Sequence, residues 1–337
     1  MTAQSRVRAS LAALLGVAWA TVGAAQGAPT ASCHHDDASR PALARLREAL
    51  ATDRFITYEP TAIKVINGQV TSTDAASIRA DLTVLRPHFD ALVTYDAVHG
   101  AQQIPGIAAA LGYRALIIGV WNPFDDAETQ AAFAAARAYP KLVAGVSLGN
   151  ELLFGRRTDA ARLAARLAEL HARAPLLPLS TSEPFHIYSE PSGEPVLGQL
   201  DFLLPNVHPV FQPWFRGAPA ANSAQFVVNV VEGLAAHFCG PILVKETGVP
   251  TAPPGGDFSE AAQADFYAAL RQRFPPGRER AFAYFAAFDA PWRALDVTPV
   301  GPAHPEEAFW GLYDAQRRPK AAARALAPLA TSPPVPP

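Results

Sequence analysis

From Phe55 onward, short apolar runs alternate with stretches of helical period, and this alternation limits the possible folds more than any other feature of the chain. It is the pattern of parallel strands, each covered by a crossover helix. Eight runs can be read: FITYEP at 55, ALVTYDA at 91, RALIIGVWN at 114, LVAGVSLGNE at 142, LLPLSTSE at 176, DFLLPNVHP at 201, PILVKETG at 241 and RAFAYFAAFDAPW at 280. Between them, Asp74 to Leu85, Asp159 to Ala174, Ser223 to Phe238 and Ser259 to Phe274 have the caps and periodicity of helices. Eight strand-helix units predict an α/β chain folded as one (β/α)8 TIM barrel over 51–330, and 337 residues at 50% hydrophobic content can fill such a core. The alternative is an open, doubly wound sheet. No run is followed by GxGxxG or GxxxxGK[ST], so a nucleotide site has no support.

Polar residues gather at the C-terminal ends of these runs: Tyr58-Glu59, Tyr95-Asp96, Trp121-Asn122, Asn150-Glu151, Ser182-Glu183, Asn206 with His208, Glu246, and Asp289 with Trp292. Barrel enzymes build their sites at this rim, where strand ends hold side chains rigidly and the loops beyond them vary. Glu246 follows Glu151 by 95 residues. With a unit of about 30 residues that is three units, which places both carboxylates on one rim. Two carboxylates across one pocket suit glycosidic cleavage, where one protonates the leaving oxygen and the other attacks or steadies the anomeric carbon.

The formal net charge is −2 and the basic residues are scattered, which excludes the electrostatic footprint of a nucleic-acid or anionic-membrane binder. Arg6 and Arg8 precede an apolar run, Leu11 to Ala25, that ends in small residues; this predicts a signal peptide over 1–25, export to the periplasm or medium, and no stable membrane insertion after cleavage. Residues 26–50 read as a lead-in and the Pro-rich 331–337 as a tail. Cys33 and Cys239 permit one disulfide without requiring it, and lipid anchoring at Cys33 is not the expectation. His34-His35-Asp36-Asp37 falls in the lead-in, where nothing would hold a metal rigidly, so it reads as a solvated polar stretch. No metal or organic cofactor is expected, and neither a GxSxG elbow nor a cysteine triad is present. The expected state is a monomer.

The motifs resemble glycoside hydrolase family 17, the β-1,3-glucanases and β-1,3-glucanosyltransferases. The resemblance covers about Phe55 to Asp314 and rests on SLGNE, ILVKETGVPT, NVHPVF, FDAPW and EAFWGLYD. It implies a retaining enzyme with Glu151 as acid/base after strand 4 and Glu246 as nucleophile after strand 7. Asn150 would hydrogen-bond the sugar 2-hydroxyl, and His208 would lie beside the nucleophile. Tyr58, Tyr95, Trp121, Asn122, Asp289, Trp292 and Glu307 complete the candidate substrate-binding set.

Three residues depart from the family pattern: Lys245 stands where a small residue is usual, Val249 replaces an aromatic, and Arg293 follows Trp292 in place of lysine. Loss of the aromatic at Val249 predicts weaker binding of long chains on that side of the cleft. The expected partner is an oligo- or polysaccharide, most simply a β-1,3-glucan. A catalytically silent carbohydrate-binding barrel is the alternative reading.

Overall fold

The computed structural model describes residues 40–66, 69–253, 258–295 and 305–329. The signal segment, Cys33, the His34 to Asp37 stretch and the tail lie outside the described residues. The eight apolar runs all become strands of one closed parallel barrel: β1 Phe55–Thr57, β2 Ala91–Val93, β3 Ala115–Val120, β4 Val143–Asn150, β5 Leu179–Pro184, β6 Leu204–Asn206, β7 Ile242–Thr247 and β8 Arg280–Tyr284. Each strand pairs with its sequence neighbours, and β8 closes on β1 through Phe55–Ala283 and Ile56–Tyr284.

The side chains sort into two layers. Phe55, Ala91, Val93, Ile117, Leu204 and Leu243 belong to the core inside the barrel, whereas Ile56, Leu92, Leu116 and Val244 pack outward against the helices. Because both faces of a parallel strand are covered, the runs are apolar throughout rather than alternating. The covering helices start where the sequence supplies an N-cap. Asp74 accepts from Ser77 N at 2.8 Å, Asp159 from Arg162 N at 2.8 Å and Ser259 from Ala262 N at 3.0 Å. In the helix Ala160–Arg173, Leu163, Leu167 and Leu170 form one fully buried stripe. The helix expected from Ser223 instead spans Ala220–Ala235, since Pro219, with its fixed φ, opens it one turn earlier.

The lead-in expected over 26–50 needs correction, because its last part belongs to the barrel. Helix α1, Arg40–Thr52, carries Leu43, Leu46 and Leu50 into the same cluster as the inward residues of the strands, all at most 1% exposed. It precedes β1 and packs against β4 and β8, so it plugs the end of the barrel opposite the rim where the polar residues gather. No helix among the described residues is long and apolar enough to cross a membrane.

Candidate active site

Strand β4 ends in a backbone turn that only certain residues tolerate. Gly149 has φ +96°, and a Cβ there would stand 2.3 Å from Leu152 Cδ1. Glu151, two residues on, also has positive φ, +54°. A non-glycine residue held there costs on the order of 1–2 kcal/mol, and such outliers concentrate at functional sites. The turn is held by Glu151 N donating to Ser182 O at 2.7 Å, by Arg157 donating to the Asn150 carbonyl, and by Glu183, whose carboxylate accepts from Leu153 N at 2.8 Å and Phe154 N at 3.1 Å. Burial, partly offset by those N–H groups, pushes the Glu183 carboxyl up to about 7.

The turn brings Glu151 to β6 and β7. Asn206 Nδ2 donates to Glu151 Oε1 at 2.9 Å, and Ser182 Oγ donates to Asn206 Oδ1 at 3.0 Å, which fixes the direction of the amide. Asn206 is also the ladder partner of Glu246. Two nitrogen-bearing side chains approach Glu246: His208 Nε2 lies 3.5 Å from Oε2 and Lys245 Nζ lies 3.5 Å from Oε1. Arg293 adds a guanidinium whose charge also acts on Glu246, and it pairs with Glu59 at 3.0 Å.

The two carboxyls are driven in opposite directions. Burial alone would raise Glu246, but the His208 hydrogen bond and the charges of Lys245, His208 and Arg293 overturn it and hold the group at about 2. Glu151 goes up, first through burial and then through the negative charge of Glu246, with the Asn206 hydrogen bond opposing. Glu246 is therefore the more readily ionised of the two and Glu151 the more readily protonated.

Of the other candidates, Tyr95 stands beside Glu246, buried, with Lys245 Nζ 4.2 Å from its ring centroid. Burial and the Glu246 charge drive its phenol well above the usual range. His208 packs edge-on against Phe285 and Trp310, with centroids 5.5 and 5.0 Å away. Glu307 and Trp292 line a cavity of about 470 Å³ that begins at Tyr95 and Trp310 and reaches Glu59. Asp289 lines it too, although its Oδ1 is tied to Lys320 Nζ at 2.6 Å and Gly311 N at 2.9 Å. Trp121 is 45% exposed at the rim under the Arg157 guanidinium.

Three expectations need correction. Tyr58 lies in the outer core, fully buried, and its hydroxyl donates to Asp81 Oδ2 at 2.9 Å instead of approaching Glu246. The Asn122 side chain turns back on its own loop, where Oδ1 accepts from Phe124 N at 3.1 Å. Val249 is 2% exposed in the outer core, so it forms no wall of the cleft, and the aromatic surface beside His208 comes from Trp310 and Phe285.

Asn206 and Glu59 stand among the rim residues named above but outside the candidate substrate-binding set, Arg293 directly follows the FDAPW motif, and the structure brings all three, with Lys245, to the site. Among the described residues no cluster of three or more potential metal ligands occurs.

A closed (β/α)8 barrel with buried polar and charged side chains gathered at its C-terminal rim is the architecture of the barrel enzymes. Residues 56–311 match the BtgE/BtgC glycoside hydrolase domain, and the chain belongs to that family of glycosidic-bond enzymes. It is 25% identical over 267 residues to a glucan 1,3-β-glucosidase of Arthroderma benhamiae, which covers 73% of this chain and 84% of the relative. A family 17 β-1,3-glucanosyltransferase from Rhizomucor miehei superposes with a TM-score of 0.62 at 24% identity, over 80% of this chain and 95% of that one. An endo-laminarinase from Formosa Hel1_33_131 gives a TM-score of 0.63 at 18% identity, over 78% and 83%.

Proposed function

We propose that this chain is an exported, retaining enzyme that cleaves or transfers β-glucan chains, with Glu246 as nucleophile and Glu151 as acid/base. The observation that carries this reading is the opposite bias of the two neighbouring carboxyls, Glu246 held at about 2 and Glu151 pushed up. The Glu246 carboxylate attacks the anomeric carbon while the bond to the leaving oxygen breaks and Glu151 gives that oxygen its proton. Glu151, now ionised, takes a proton from water or a sugar hydroxyl, whose oxygen then displaces Glu246. The names of the Arthroderma and Rhizomucor relatives support a β-1,3 linkage. Export is supported by the Arg6 to Ala25 segment.

The test is a comparison of Glu246→Ala and Glu151→Ala on a β-1,3-glucan and on an activated aryl β-glucoside. Glu246→Ala abolishes glycosyl-enzyme formation on both substrates. Glu151→Ala loses roughly 10²–10⁴-fold on the glucan and far less on the aryl glycoside, whose leaving group needs no proton. Azide then restores turnover of Glu151→Ala and yields a β-glycosyl azide. Equal losses on both substrates with no azide product would refute these roles, and glucan binding without products would favour a silent carbohydrate-binding barrel.

A further inference from the structure

Lys245 takes no part in the reaction just described, yet it occupies the centre of the site. It follows Leu243 by two residues on β7 and so shares the inner face of the barrel, and it is 1% exposed. Its Nζ lies 2.6 Å from Asn150 Oδ1 at the end of β4, 3.5 Å from Glu246 Oε1, and 4.2 Å from the centroid of Tyr95 beyond β2. A carbonyl oxygen, a carboxylate and a ring face all take hydrogens or positive charge, and none donates. Burial pulls the Lys245 ammonium below the usual lysine range, while the Glu246 and Glu151 charges oppose that loss and hold the charged form.

The contact with Asn150 has a directional consequence. Lysine cannot accept a hydrogen bond, so the amide must turn its oxygen toward Nζ, and Nδ2 becomes the group free to donate to a sugar oxygen. Building on the retaining reading above, we infer that Lys245 is a positioning residue that locks the Asn150 amide in its donor orientation and supplies the countercharge that keeps Glu246 ionised. Glu246 is also faced by His208 beyond β6, Arg293 beyond β8, Tyr95 beyond β2, Glu151 just past β4, and Glu307. Of these, Arg293 is the other permanent positive charge, so removal of Lys245 shifts the nucleophile without neutralising its surroundings.

The experiment uses the full chain with ¹³C-labelled glutamate. The Glu246 carboxyl is titrated by NMR in the wild type and in Lys245→Met, which keeps side-chain length without charge. The expected wild-type midpoint lies well below the usual carboxylate range, and the variant's midpoint is higher by about 1 unit or more. The same midpoint in both proteins overturns the countercharge role. A wild-type midpoint in the ordinary range does so too, and needs no variant to fold. For the amide, kcat/KM is measured on an aryl β-glucoside and its 2-deoxy analogue. Asn150→Ala and Lys245→Met each cut the preference for the 2-hydroxyl about tenfold, and the double variant cuts it no further than either alone. Additive losses overturn the locking role. A wild type inactive on every glycoside would sink the retaining-enzyme reading, while the titration would still decide the role of Lys245.

Discussion

Asn206 Nδ2 donates to Glu151 Oε1 at 2.9 Å, while the Asn206 backbone pairs with Glu246 in the β6/β7 ladder. One amide thereby connects the proposed acid to the strand of the proposed nucleophile. Its hydrogen bond favours the Glu151 carboxylate and opposes the upward push of burial and of Glu246. Asn206→Ala removes that opposition and raises the Glu151 carboxyl further. The expected outcome is a basic limb of the kcat/KM profile displaced to higher pH. A basic limb that stays in place or moves down would show that Glu151 is not the group titrating there.

Glu246 also links stability to pH. Its folded value of about 2 lies below that of an unfolded glutamate, so the folded state binds its carboxylate form preferentially. The stabilisation is fully present above the unfolded value near 4.3 and is lost as pH falls toward 2, with an upper bound of about 3 kcal/mol. Glu246→Gln is expected to unfold at lower urea concentration than wild type at pH 7, with the gap narrowing at pH 3. A gap that is constant or wider at pH 3 contradicts the depressed value.

Val249 sits in the outer core, and its backbone N–H meets Tyr284 Oη at 3.2 Å. Val249→Trp therefore overpacks the layer between barrel and helices and does not extend the cleft. The expected cost is about 1–3 kcal/mol in urea unfolding, with no gain in oligosaccharide affinity by calorimetry. Tighter binding would place this position at the substrate after all.

Leu46 of α1 is fully buried among the inward side chains of the strands. Leu46→Ala leaves a cavity at the closed end of the barrel, with an expected loss of about 2–5 kcal/mol. The acid limb of the activity profile should be unchanged, since the site lies at the other rim. A loss below 0.5 kcal/mol, the scale of ordinary surface substitutions, would show that α1 is not part of the core.

The strands, the helix starts and the rim carrying Glu151 and Glu246 were legible because each is local. Caps act over two or three residues, apolar runs mark strands, and a repeat of constant length keeps strand ends on one side. Even here a limit appeared. Tyr58 and Tyr95 both follow apolar runs, but Tyr95 is in phase with the inward Ala91 and Val93, while Tyr58 is out of phase with the inward Phe55. Since strands covered on both faces do not alternate in polarity, the runs alone do not reveal which phase faces inward.

By itself, then, the sequence determined the barrel, its polar rim and the two glutamates on it. What only the tertiary structure decided was how those residues are charged and aimed. Lys245 reaches Asn150 across 95 residues and Asn206 reaches Glu151 across 55. Leu43, Leu46 and Leu50 became core only when the barrel gave them an interior to fill. A carboxyl's protonation depends on burial and on charges within a few ångströms, and those distances exist only once the strands have closed.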